Sequence, residues 1–240
     1  MTENAIELIN YSYAYPDSTV ALDTISLTIP AGQKVVLIGP NGAGKSSLLL
    51  SMAGFAQGTG TILINGLELK KKNLKAIRRI LGCCLENPDD QLFMPTLRED
   101  ITFGPLNMGL SPQEIKERVN RALAIVGLTD KADKPPHHLS AGQKRAAAIA
   151  TILSMDPRII TLDEPDGSLD PRHRNQLIDL LKGLSQTLVI ATCNMHFAYA
   201  IAERVILVDH GQIVADGPPQ EIMSQDALMT EHGLEAIRAS

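Results

Sequence analysis

The run KVVLIGPNGAGKS, Lys34–Ser46, constrains what this chain can fold into more than any other segment. Lys34–Gly39 is a continuous apolar stretch closing on glycine, as expected of a parallel strand buried on both faces. GPNGAGKS, Gly39–Ser46, fits the spacing G-x-x-x-x-G-K-[ST]. Its glycines let the backbone wrap closely, so that amide hydrogens point at phosphate oxygens. Gly39, Pro40, Asn41, Gly42, Ala43, Gly44, Lys45, Ser46 and Ser47 are therefore the candidate phosphate cradle. Lys45 would reach the β- and γ-phosphates, and the Ser46 hydroxyl would ligate Mg2+. KSSLLLSMAG, Lys45–Gly54, then reads as a helix that Gly54 stops.

A second buried run, IITLDE at Ile159–Glu164, supplies the matching carboxylates. Asp163 at the strand end would hold Mg2+ through water. Glu164, one residue on, would sit beside the attacking water as general base. An acidic pair after a strand means little alone; with a phosphate loop upstream it completes a phosphoryl-transfer set.

The rest of the chain divides by pattern. AIELINYSYAY and VALDTISLTI alternate apolar and polar residues and read as antiparallel strands. From Asn87 prolines cluster, and SPQEIKERVNRALAIVGL has helical periodicity, with Ser111 as N-cap and Pro112 at the first helical position. TLVIAT and RVILVDHGQIVADG add the last strands. The expectation is one domain over residues 1–240, with a core at 1–86 and 155–217, a helical subdomain at 87–154, and a helical, mostly polar tail at 218–240.

HLSAGQKRAAAIA, His138–Ala150, carries the resemblance. With the two carboxylate and phosphate-loop motifs, it resembles the ATP-binding-cassette (ABC) ATPases, whose signature is L-S-G-G-Q. Here Ala141 takes the third position. The resemblance implies an α/β fold: a P-loop NTPase core of the RecA-like kind, with an antiparallel β subdomain and an inserted α-helical subdomain. It also implies that Ser140, Gly142 and Gln143, at a helix N-terminus, form a second anion site. That site closes over the nucleotide of a second ABC ATPase subunit, identical or paralogous, in a head-to-tail dimer holding two ATP molecules. Tyr15 matches the aromatic that stacks on adenine, with Tyr13 as fallback. Ser168–Asp170, SLD, matches the loop that crosses between the two sites, which brings in Asp170.

NPDDQLFMPTLREDITFGPLNMGL, Asn87–Leu110, is similar to the ATPases of energy-coupling-factor importers, and the tail is similar to their short cobalt and nickel versions. The resemblance implies a peripheral subunit on the cytoplasmic face of the membrane. Its partner is a transmembrane coupling subunit, which it would meet through a groove with Phe93, Met94 and Pro95 as contact residues; packing of these three inside the helical subdomain is the alternative. The cargo would be a transition metal ion or a vitamin that never touches this chain. His137–His138 reads as loop beside the signature rather than as a metal site. The basic run Leu69–Arg79 reads as solvated surface, with a lipid-facing patch as the alternative.

Two positions depart from the family pattern. Glu86 stands where the family has glutamine, which contacts Mg2+ and the attacking water. Its carboxylate is a competent Mg2+ ligand. It also adds negative charge near the γ-phosphate, on the order of 4 kcal/mol of repulsion at ~4 Å and an effective dielectric of ~20 before the cation offsets it. Cys193 aligns with the histidine that hydrogen-bonds the γ-phosphate, and a thiol is a weak donor. His196, one helical turn on, is the substitute considered. No base for a nucleophilic Cys193 is evident. The expected activity is ATP hydrolysis coupled to transport, slowed at Glu86 and Cys193. The alternative is a hydrolysis-impaired, nucleotide-gated subunit paired with an active paralogue.

Bulk properties exclude other classes. Net charge is −5 over 240 residues, which argues against nucleic acid as partner. Three cysteines make no disulfide framework. No apolar run reaches the ~18 residues of a membrane span, and the N-terminus lacks the pattern of a signal peptide.

Overall fold

The computed structural model describes residues 3–167 and 169–237; Ser168 of the SLD segment lies outside the described residues. The alternating N-terminal runs form β1 (Asn4–Ala14) and β2 (Val20–Pro30), paired antiparallel with Leu8 opposite Leu27. β3 (Lys34–Ile38) runs into the phosphate loop, and α1 (Lys45–Met52) begins at the loop lysine. β4 (Thr59–Ile64) and β5 (Leu67–Glu68) complete an antiparallel sheet ordered β2-β1-β4-β5. The basic run folds as a short 3-10 turn and α2 (Leu74–Ile80), which hands the chain to β6 (Leu81–Cys84).

Three helices follow: α3 (Leu97–Asn107), α4 (Pro112–Ile125) and α5 (Ala141–Leu153). α4 starts where expected: Ser111 accepts from the Glu114 N–H, Glu114 reaches back to the Ser111 N–H, and Pro112 takes the first position. The chain then alternates through β7 (Ile159–Asp163), α6 (Pro171–Gly183), β8 (Thr187–Ala191), α7 (Met195–Ile201), β9 (Arg204–Asp209) and β10 (Gln212–Gly217). Two short helices, α8 (Pro219–Ile222) and α9 (Asp226–Glu231), end the described chain.

The larger sheet is ordered β10-β9-β3-β8-β7-β6, parallel except for the β9–β10 hairpin. One strand, β8, separates the phosphate-loop strand β3 from the carboxylate strand β7. That order is the RecA-like arrangement expected from the sequence.

Both faces of this sheet are covered, which explains its continuous apolar strands. Val35 and Leu37 pack towards the antiparallel sheet and α1, with Ile6, Ile29 and Leu48. Val36 and Ile38 pack towards the helices, with Ile101, Leu123 and Ile149. Each such fully buried aliphatic side chain contributes about 1.5–3 kcal/mol. Within the mostly polar tail, Ile222, Met223, Met229 and Ile237 are buried in the helical-face cluster, so the tail seals an apolar edge of the core.

β6 lies so close to α5 that a side chain at Gly82 would collide with Cγ2 of Ile152. Ile152 is β-branched and stiff. Gly82→Ala should lower stability by about 1–3 kcal/mol through overpacking. In urea unfolding, its cost should shrink when combined with Ile152→Ala, the coupling expected of residues in contact.

Candidate functional site

Parallel pairing brings three strand ends to one edge. Leu37 of β3 sits opposite Ala191 of β8, and Asp163 of β7 sits opposite the same Ala191. The phosphate loop, Asp163–Glu164 and Thr192–Cys193 therefore emerge side by side, at the carboxyl edge where open α/β sheets bind ligands.

The loop is tightly held. A side chain at Gly39 would collide with the Val208 carbonyl of β9, and Gly44 (φ +106) begins α1 in a left-handed conformation. Lys45 is buried, and its Nζ donates to the carbonyls of Gly39 (2.8 Å) and Pro40 (3.0 Å). A buried ammonium without a carboxylate is thus satisfied by its own loop, and those bonds would be exchanged for phosphate oxygens. Asn41 and Gly42 are exposed at the loop tip and Ala43 is buried beneath it. The Tyr15 hydroxyl shares a 2.7 Å hydrogen bond with Ser47 Oγ, and its half-exposed ring meets Tyr13 edge-on at 5.3 Å. The expected adenine-stacking ring therefore stands against the first turn of α1.

Ser46 Oγ donates to Asp163 Oδ1 at 3.1 Å. Burial raises the Asp163 carboxyl above its ordinary range; the Ser46 hydrogen bond opposes that shift, and the charges of Glu86 and Glu164 reinforce it. A hydroxyl beside carboxylate oxygens is a hard donor set and fits Mg2+. Among the described residues, no three or more His, Cys, Asp or Glu side chains converge as a metal cage. A cation here would complete its shell with phosphate oxygens and water, as Mg2+ does in phosphate sites.

Glu164 occupies the left-handed region (φ 41), an uncommon conformation for a residue with a Cβ. The turn is fixed on both sides: its N–H donates to Ala191 O at 2.9 Å, and its carbonyl accepts from Gly167 at 3.0 Å. Its Oε2 accepts two bonds from one residue, the Cys193 N–H at 3.2 Å and the Cys193 thiol at 3.6 Å. The sequence places Cys193 at the position of a γ-phosphate-sensing histidine, with a thiol poorly suited to that task; in the structure the thiol lies against the carboxylate of Glu164. Burial, then the Glu164 charge, raise the Cys193 thiol above its ordinary value. His196 is exposed on α7, while Asp163 bonds Ser46 and Glu164 bonds Cys193.

Glu86 is exposed, and with Glu164 and Arg145 it lines a cavity of about 400 Å³ that also takes in Ala141. No phosphate-loop residue lines it. Ser140 caps α5, and the Gln143 side chain is turned back onto the Ser140 N–H at 3.1 Å, so both are engaged in a capping box. Gly142 packs on the His173 ring, which a Cβ would approach to 3.0 Å. Asp170 caps α6 through the His173 N–H and bonds the His173 ring at 2.7 Å. The SLD segment and the signature are thereby joined through His173, a residue the sequence reading missed.

It missed others for the same reason, that only folding brings them together. Buried Asp166 accepts from the Thr192 hydroxyl at 2.8 Å, and buried Arg145 donates to Leu85 O at 3.1 Å, bracing the strand end before Glu86. Further off, Phe93 is exposed and meets Phe103 edge-on at 5.2 Å, beside Phe55, in a groove of about 260 Å³. Pro95 is also exposed and Met94 partly so. Asp100 shapes the groove: its Oδ1 accepts from both the Phe93 and the Met94 N–H at 3.0 Å. His137 and His138 stack edge-on in a 3-10 turn ahead of the signature.

Comparison with known proteins agrees with this geometry. The family model described as ABC transporter matches residues 22–167. A Streptomyces coelicolor protein with an ABC transporter ATP-binding name is 43% identical over 232 residues, covering 96% of this chain and 89% of that protein. An energy-coupling factor transporter ATP-binding protein of Methanothermobacter thermautotrophicus is 42% identical over 241 residues, covering 98% and 78%. Among solved structures, cbiO1 of Clostridium perfringens, part of the ABC transporter complex cbiONQ, superposes with a TM-score of 0.85 at 32% identity, covering 95% and 94%. The dimeric cassette MJ0796 bound to ADP and Pi gives 0.80 at 27% identity, covering 89% and 98%.

The three thiols differ enough to test the Cys193–Glu164 contact. Burial pushes Cys84 up to about 12 and also raises Cys83, and Cys193 alone is exposed. Iodoacetamide should alkylate the native protein at Cys193 only, and slowly, because the thiolate is the reactive form. Glu164→Gln should speed that reaction by removing the neighbouring charge. Peptide mass spectrometry reads both, and an unchanged rate in Glu164→Gln would refute the contact.

Proposed function

The chain belongs to the ABC transporter family, and we propose that it is the ATP-binding subunit of a membrane importer that binds and hydrolyses MgATP in a head-to-tail dimer. The observation that carries the reading is the convergence of Lys45, the Ser46–Asp163 pair and Glu164 at adjoining strand ends.

In this reading the loop amides and Lys45 hold the β- and γ-phosphates, and Ser46 and Asp163, with Glu86, hold Mg2+. The cation would supply charge neutralisation on the phosphate oxygens. Glu164 orients the attacking water and accepts its proton. Ser140, Gly142 and Gln143 face the nucleotide of the second subunit, where a helix N-terminus favours an anion. Asp170, coupled to the signature through His173, links the two sites. Tyr15 would release Ser47 to stack on adenine.

The segment of Phe93, Met94 and Pro95, with the groove that Phe93 lines beside Phe55 and Phe103, would be the docking place of the transmembrane subunit. Among the described residues no helix is long and apolar enough to cross a membrane; the subunit would sit peripherally, on the cytoplasmic face, against a transmembrane partner. The energy-coupling factor relative and cbiO1 support import of a transition metal ion, cobalt or nickel, or of a vitamin.

Turnover is slow in this reading. The base carboxylate Glu164 is held by Cys193, and Glu86 adds a further negative charge beside it. The same contact favours the second reading, a nucleotide-gated subunit that hydrolyses little and pairs with an active paralogue. Phosphate-release assays separate them. Glu164→Gln should lower MgATP hydrolysis by about a hundredfold or more, and equal rates would remove Glu164 as base. Cys193→His with Glu86→Gln should raise turnover by about tenfold or more, since a restored bond to a charged group in the transition state has that value. No gain in the double variant would contradict slowing at these positions.

A further inference from the structure

The turn between β9 and β10 takes no part in the proposed chemistry, yet it is bonded directly to the phosphate loop. The Gly211 N–H donates to Ala43 O at 2.9 Å, and the Gly211 carbonyl accepts from the Asp23 N–H at 2.9 Å. His210 (φ 45) and Gly211 (φ 74) are both left-handed, as a two-residue hairpin turn of this twist requires. A side chain at Gly211 would lie 2.7 Å from Ala21 O, so the turn is wedged between β2 and the loop.

The C-terminal tail holds this turn from its other side. His232 closes α9 and places Nδ1 2.7 Å from Asp209 Oδ2, both side chains being largely buried. The other carboxylate oxygen, Asp209 Oδ1, accepts the His210 N–H at 2.9 Å. Each oxygen of Asp209 is engaged, one by the tail and one by the turn. The tail cannot follow a loose course either, because Met223 and Met229 are fully buried and the Ile237 N–H donates to Met223 O at 2.8 Å.

The consequence for the loop follows from peptide geometry. In a trans peptide the carbonyl and the next N–H point to opposite sides. Pinning Ala43 O to Gly211 therefore turns the Gly44 N–H away from the turn, towards the side on which loop amides meet phosphate oxygens. We infer that His232, in the C-terminal tail, is a positioning residue for the phosphate loop, acting through Asp209 and the β9–β10 turn on the peptide between Ala43 and Gly44. The role in nucleotide affinity rests on the reading of that loop as the ATP site; the mechanical link does not.

Two measurements on the full chain test it. In the nucleotide-free protein, His232→Ala should accelerate amide hydrogen exchange in residues 40–46 and 209–212, while the rest of the larger sheet stays protected. By calorimetry, the Kd for MgADP should rise about three- to tenfold, the scale on which residues without ligand contact modulate binding. His232→Asn keeps a donor near the Nδ1 position and should restore both values. Exchange at 40–46 unchanged in His232→Ala would overturn the inference. So would an Asn variant that behaves like Ala, or acceleration spread through the whole sheet with a lowered Tm. If the wild-type protein binds no nucleotide, the functional reading fails, and the exchange arm still decides this one.

Discussion

Everything at the site depends on the parallel register of β3, β8 and β7. Because Leu37 and Asp163 both stand level with Ala191, three strand ends finish at the same height. A slip of one residue in β8 would turn every side chain to the opposite face. It would also carry Thr192 and Cys193 away from Asp166 and Glu164. The register is protected by burial on both faces, with Val35 and Leu37 in one apolar cluster and Val36 and Ile38 in the other. Helices α3, α4 and α5 belong to that second cluster, so they are anchored to the sheet through continuous packing rather than through a linker.

What that register gathers is an excess of negative charge. Glu164 and Glu86 both act electrostatically on Asp163 beside Ser46, and the cation of Lys45 is turned onto its own backbone. The raised Asp163 carboxyl is the physical trace of this crowding, burial first and neighbouring carboxylates after it. A cation at Asp163 would relieve that crowding. Cys193 fits the resting arrangement, since a thiol donor and a backbone N–H partly satisfy Glu164.

The sequence was informative wherever function is written in consecutive residues. The loop Gly39–Ser46, the strand ending in Asp163–Glu164 and the helix opening at Ser140 all emerged as single words, and Ser111–Pro112 named its own helix start. Cys193 was legible as a position but not as a contact, because its link to Glu164 needs neighbouring strands and a left-handed residue. Arg145, Asp166 and His173 have partners far away along the chain, or on a surface that no pattern marks. The tail reads as mostly polar from composition, which does not reveal that Met223, Met229 and Ile237 are buried in the core. Its tie to Asp209 spans 23 residues and carries no motif.

The central claim, that the Gly39–Ser46 loop is the seat of an adenine nucleotide, is open to one direct measurement. Titration calorimetry of the purified chain with ATP in the presence of Mg2+ should show one nucleotide bound per chain. Lys45→Ala should abolish that binding while leaving the unfolding midpoint of the nucleotide-free protein close to the wild type. Failure of the wild-type protein to bind ATP, or undiminished binding by Lys45→Ala, would contradict the account at its root.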